Sequence, residues 1–135
     1  TNQIVAGASM GGLMSIKTSI LFPQFRNIIS LSPAFWFGYP RILYDVKNLS
    51  DESSTYLYTG KKEGHIFGDH VKNIFPNNWD LDFSNNDDFY YSGVKKIKDS
   101  LESHNKTVIF SFQENGHHNE TSWATAILEI LGKLI

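Results

Sequence analysis

Apolar positions along this chain follow two rhythms. Four short runs have the length and content of buried strands: Ile4-Val5-Ala6, Ile28-Ile29-Ser30-Leu31, Thr55-Tyr56-Leu57-Tyr58-Thr59 and Thr107-Val108-Ile109-Phe110-Ser111-Phe112. Other stretches repeat at helical spacing. Leu13, Met14, Ile16, Ile20 and Leu21 suit one helical face, which Pro23 ends. Tyr90, Val94, Ile97 and Leu101 form a second face, with Lys95, Lys96 and Lys98 turned outward. Trp123, Ile127, Ile130, Leu131 and Leu134 form a third. Two stretches keep no period. One runs from Pro33 to Ser54 and opens on Phe35-Trp36-Phe37. The other, 64–88, is rich in Asn, Asp and aromatics and reads as an insertion or lid. The order strand, helix, strand, excursion, strand, helix, strand, helix predicts an α/β fold: a mostly parallel sheet flanked by helices. Its 135 residues fit a single domain, 1–135.

Composition narrows the chemistry. The net charge is -2, so no whole-molecule attraction to nucleic acid or an anionic membrane surface is expected. No apolar stretch is long enough to span a membrane. The chain has no Cys, which removes thiolate catalysis, disulfides and Cys-based metal sites together. Thr1-Asn2-Gln3 carries neither a basic nor an apolar leader region, so no signal peptide is expected there. Without an initiator Met the chain reads as a fragment of a longer parent. Three N-x-[ST] sequons, at Asn48, Asn105 and Asn119, are close to the roughly two that 11 Asn and 21 Ser and Thr give by chance.

The sharpest motif is Gly7-Ala8-Ser9-Met10-Gly11. It matches G-x-S-x-G between a predicted strand and a predicted helix, the context in which that pattern presents a nucleophile. Ser9 would sit in a strained turn with its hydroxyl above the sheet, and the Met10 N–H at the helix start would face a developing oxyanion. A serine nucleophile needs a base. His117-His118 follows the last strand, where the chain order Ser, acid, His puts it. Glu63 is the first carboxylate after the third strand, with Asp69 in reserve. Phe35 and Trp36 follow the second strand at the end of a parallel sheet where ligands bind, either as an aromatic pocket wall or as core. His65, Asp69 and His70 fit no helix-borne metal spacing, and the Asp80 run lacks the Gly and Glu of a calcium loop. No metal or cofactor is expected.

Four segments together resemble a known family. They are Gly7-Ala8-Ser9-Met10-Gly11-Gly12, Ser32-Pro33-Ala34-Phe35-Trp36, Gly60-Lys61-Lys62-Glu63, and Gly116-His117-His118-Asn119-Glu120 with Trp123. They look like the esterase branch of the α/β-hydrolases that includes siderophore esterases, feruloyl esterases, S-formylglutathione hydrolase and mycolyltransferases, with the siderophore-esterase subgroup nearest. The resemblance runs from the nucleophile turn to the last helix and implies the C-terminal half of that fold. It implies Ser9 as nucleophile, His118 rather than His117 as base, and Glu63 as acid. The family's N-terminal strands, and the loop with its second oxyanion donor, have no counterpart here.

Two functions from different classes follow. The first is a serine hydrolase that cleaves a small-molecule carboxylic ester through an acyl-enzyme, or transfers the acyl group with the same residues. The second is a non-catalytic assembly unit, whose first strand is an open sheet edge that drives self-association.

Overall fold

A computed structural model of the chain describes residues 3–134. Strand β1 (Gln3–Ala8) leads into helix α1 (Met10–Leu21), which returns to β2 (Phe25–Leu31). A short helix α2 (Ile42–Asp45) lies in the long connection to β3 (Ser54–Lys62). Helix α3 (Asn86–Ser103), β4 (Thr107–His117) and helix α4 (Glu120–Leu134) complete the chain. The four strands lie side by side in sequence order and every neighbouring pair is parallel.

Side-chain alternation along the strands explains the layers. Ile28 and Leu57 point to one face, where they join Leu13 and Ile16 of α1, Ile42 of α2, and Phe89, Val94, Ile97 and Leu101 of α3. Their neighbours Ile29, Leu31 and Tyr58 point to the other face and pack on Ala126 and Ile130 of α4. Helix α3 begins where Asn85 caps it, its Oδ1 accepting from the Asp88 N–H at 2.8 Å. Asp87 and Asp88 in the first turn complement the helix dipole.

The excursion 64–88 holds two 3-10 turns, Gly64–Phe67 and Val71–Asn73. The first turn of α3 fastens both. Asp87 accepts from Gly64 N (2.8 Å), and Asn86 accepts from Val71 N (3.0 Å) while donating to Asp69 O (2.8 Å). Phe67, Phe75, Trp79, Leu81 and Phe83 pack onto the α3 side of the core.

Strand β1 is an edge among the described residues, paired only with β2. Ile4 on it, and Met10, Met14 and Leu21 on α1, are exposed.

Candidate functional site

Parallel strands bring their C-terminal ends to one rim, and the sequence places its candidate residues there. At the end of β1 the chain turns sharply at Ser9, with φ 59° and ψ -121°. A non-glycine residue pays of order 1–3 kcal/mol for such a conformation. The flanking glycines permit it: a Cβ on Gly7 would meet Gly11 Cα at 2.9 Å, and one on Gly12 would meet Leu31 O at 2.7 Å. The turn is pinned to the next strand, with Ser9 N donating to Leu31 O (2.9 Å) and Ala34 N donating to Ser9 O (2.9 Å). Met10 opens α1, so its N–H has no partner within the helix.

Glu63 and His118 meet through strand register. Gly60 pairs with Gln113, but Lys62 pairs with His117, so β4 carries two extra residues over that step. The bulge needs glycine on both sides, since a Cβ on Gly116 would lie 2.7 Å from Gly60 Cα. With Lys62 opposite His117, the next residues of each chain are neighbours. His118 Nδ1 lies 2.8 Å from Glu63 Oε1. Nδ1 is therefore the protonated nitrogen when the ring is neutral, which leaves the lone pair on Nε2.

Glu63 is fully buried. Its Oε2 accepts from Gly60 N at 2.6 Å and from Ser32 Oγ at 2.5 Å. The His118 ring is held between Trp123, edge-on with centroids 4.8 Å apart, and Tyr90 at 5.5 Å. Burial, and secondarily the charge of Glu63, hold the Tyr90 phenol well above its ordinary pKa, so it stays a hydrogen-bond donor. Asn119 caps α4 through Oδ1 to Ser122 N at 3.0 Å, which fixes the backbone just after His118.

The other candidates lie differently. His117 is exposed and donates from Nδ1 to Asn115 O at 2.9 Å. Asp69 is exposed, and its carboxylate accepts from His70 N and Asn73 Nδ2 within its own turn. Phe35 is fully buried against Gly93 of α3, so it belongs to the core and not to an accessible wall. Trp36 is half-buried, its ring 5.2 Å from Tyr90 and 4.9 Å from Phe67. Among the described residues, no hydrogen bond joins Ser9 Oγ to His118; the two are linked through the turn 31–34, bonded to Ser9 at one end and to Glu63 through Ser32. No cluster of three or more His, Asp or Glu among the described residues is placed to hold a metal ion. No described helix is long and apolar enough to cross a membrane. The sequence pattern gives Ser32 no role and places Trp123 only on the apolar face of the last helix. The signal available was a serine wedged between a buried strand and Pro33.

No protein-family model and no curated protein matches the sequence. The structure is similar to that of the siderophore hydrolase EstA from Aspergillus nidulans, with a TM-score of 0.62 and 14% identity. The similarity covers 93% of this chain and 47% of that one, so this chain spans about half the neighbour's length. What the two share is the fold, and the parallel sheet flanked by helices is the architecture that the apolar pattern predicts.

Proposed function

We propose that this chain carries the reacting residues of a serine hydrolase that acts on carboxylic esters. The observation that carries the reading is the 2.8 Å bond from His118 Nδ1 to buried Glu63, on the same sheet rim as a serine at φ 59°. In this reading Ser9 Oγ attacks the ester carbonyl carbon while His118 Nε2 takes the hydroxyl proton. The carbonyl oxygen becomes an oxyanion facing the Met10 N–H. The intermediate collapses, the C–O bond to the alcohol breaks, and His118 returns the proton to the leaving oxygen. Water then attacks the acyl-enzyme by the same steps, while Glu63 holds the imidazole tautomer and offsets its charge. An alcohol in place of water turns the reaction into acyl transfer. Trp36, half-buried with its ring 5.2 Å from Tyr90, is the aromatic assigned to the substrate in this reading. The likeness to a siderophore hydrolase supports an ester of that class as the first substrate to try.

The test is covalent labelling with a tagged fluorophosphonate and turnover of a short p-nitrophenyl ester. Ser9→Ala and His118→Ala are expected to abolish turnover, by up to about 10⁶ in kcat, with His117→Ala far milder. Labelling that survives Ser9→Ala in a folded chain refutes Ser9 as the nucleophile.

One observation favours the second reading, an assembly unit. Among the described residues one side of β1 is unpaired, and Ile4 on that strand is 43% exposed, while Met10 and Met14 of α1 are also exposed. In that reading two copies pair edge to edge through β1.

A further inference from the structure

Ser32 takes no part in the reaction described above, yet every polar atom it has is bonded, and its carbonyl and hydroxyl are bonded toward the site. It follows β2 with φ 45°, in the left-handed region that suits glycine, and it is fully buried. Its N–H donates to Tyr58 O at 2.7 Å, and its carbonyl accepts from the Tyr90 hydroxyl at 2.6 Å. Its Oγ lies 3.0 Å from Trp123 Nε1 and 2.5 Å from Glu63 Oε2.

The direction of this chain of bonds is forced. An indole N–H only donates, so Trp123 occupies a lone pair of Oγ. A carboxylate only accepts, so the serine proton points at Glu63. Tyr90 and Trp123, whose polar ends meet on Ser32, are also the two rings that flank His118. One buried serine is thus tied to the acid and to both walls of the base. Glycine would fit the backbone there without strain. A serine keeps the strain, and the hydroxyl is what distinguishes it.

We infer that Ser32 is a positioning residue for the Glu63–His118 pair, through the relay Trp123 N–H to Ser32 O–H to Glu63 Oε2. The relay fixes which way the carboxylate faces, and the Trp123 bond fixes the plane of the ring packed against His118. The inference rests on the serine-hydrolase reading for its effect on turnover, but not for its effect on the hydrogen bond itself.

Ser32→Gly in the whole chain is the decisive variant, because it relieves the backbone and removes only the side chain. Its kcat on the p-nitrophenyl ester is expected to fall about tenfold, as for one lost hydrogen bond to a charged group. KM is expected to stay within about twofold, and the melting temperature not to fall. Trp123→Phe keeps a ring and removes the N–H. It is expected to cost about threefold alone and nothing further on top of Ser32→Gly, since members of one network are not additive. The downfield proton resonance of the His118–Glu63 bond reads the relay without turnover and is expected to weaken through faster exchange in Ser32→Gly. An unchanged resonance overturns the inference whatever kcat does. So does a fully additive double variant, or a loss of kcat that comes with a matching loss of thermal stability. A chain that takes no fluorophosphonate label, but whose resonance depends on Ser32, sinks the hydrolase reading and keeps the positioning role.

Discussion

Two glycines in helices should respond to the same substitution with opposite signs. Gly93 lies in the middle of α3, fully buried, with the Phe35 ring laid against it. A Cβ there would come under 3.0 Å from Cζ, Cε1 and Cε2 of that ring. The ring has little room to retreat. It is fully buried, with ring centroids of Trp36 at 5.3 Å, Phe89 at 5.5 Å, Tyr39 at 5.9 Å and Tyr90 at 6.0 Å. Alanine gains about 1 kcal/mol over glycine in a helix interior. Forcing a methyl into a packed core costs about 1–3 kcal/mol, and overlap with several atoms of a locked ring puts Gly93→Ala at the upper end. The net is a loss of about 2 kcal/mol. For a chain of this size, at about 4 °C per kcal/mol, the melting temperature drops by about 8 °C. Gly132 in α4 is exposed, and a Cβ there meets nothing within 4 Å. Close to the helix end, Gly132→Ala gains about half of the propensity term, a rise of about 2 °C. Scanning calorimetry of the two variants and the parent chain decides. A Gly93→Ala chain that melts at or above the parent refutes the packing described for Phe35.

Other perturbations separate the remaining roles. Glu63→Gln sets an amide against two donors on one side and the imidazole on the other; kcat should fall about 10²–10⁴-fold, less than in His118→Ala, while Asp69→Asn leaves it nearly unchanged. Steady-state kinetics ranks the three, and a crippled Asp69→Asn with a silent Glu63→Gln would move the acid to Asp69. Burial, then the charges of Glu63 and Glu129, push the Tyr58 phenol up to about 12 from 10.0. The folded chain holds that proton where the unfolded chain has lost it, so the stability Tyr58 contributes is intact below pH 10 and drains by about 3 kcal/mol as pH rises to about 12. Urea titrations at pH 9 and 11.5 should show a smaller drop for Tyr58→Phe; an equal drop refutes it. Light scattering at micromolar concentration should find a dimer, with Ile4→Lys shifting it to monomer; a parent chain that is monomeric at every concentration refutes pairing through β1.

Much of the architecture was legible because a parallel sheet covered on both faces writes its strands as apolar runs. All four strands and the three long helices appear where the pattern puts them, each extended at one end or both. Helix α1 starts at Met10, three residues before the apolar face, because Gly11 and Gly12 of the turn motif also enter the helix. Helix α3 starts at Asn86, where the Asn85 cap sets it, although no apolar residue marks that turn. Strand β4 runs on to His117 through a bulge that has no periodic signature. The excursion 64–88 was illegible for a different reason. Its aromatics are held by turns fastened to Asn86 and Asp87, and such fastening has no fixed spacing. At the site, the types of residue were readable and the network was not. Ser32 and Trp123 lie 91 residues apart, and only the folded sheet reveals that they touch.

The buried carboxylate also bears on the order of folding. Glu63 reaches Ser32 across 31 residues of chain and His118 across 55. Bonds that close such long loops form late, after local helices have appeared. Until β2, β3 and β4 are all in register, the pocket that surrounds Glu63 does not exist and the charge stays in water. His118 would therefore gain its partner only in the closing step of the search. During refolding, helical signal would return first, and reactivity at Ser9 would lag behind it by the time needed to dock β4.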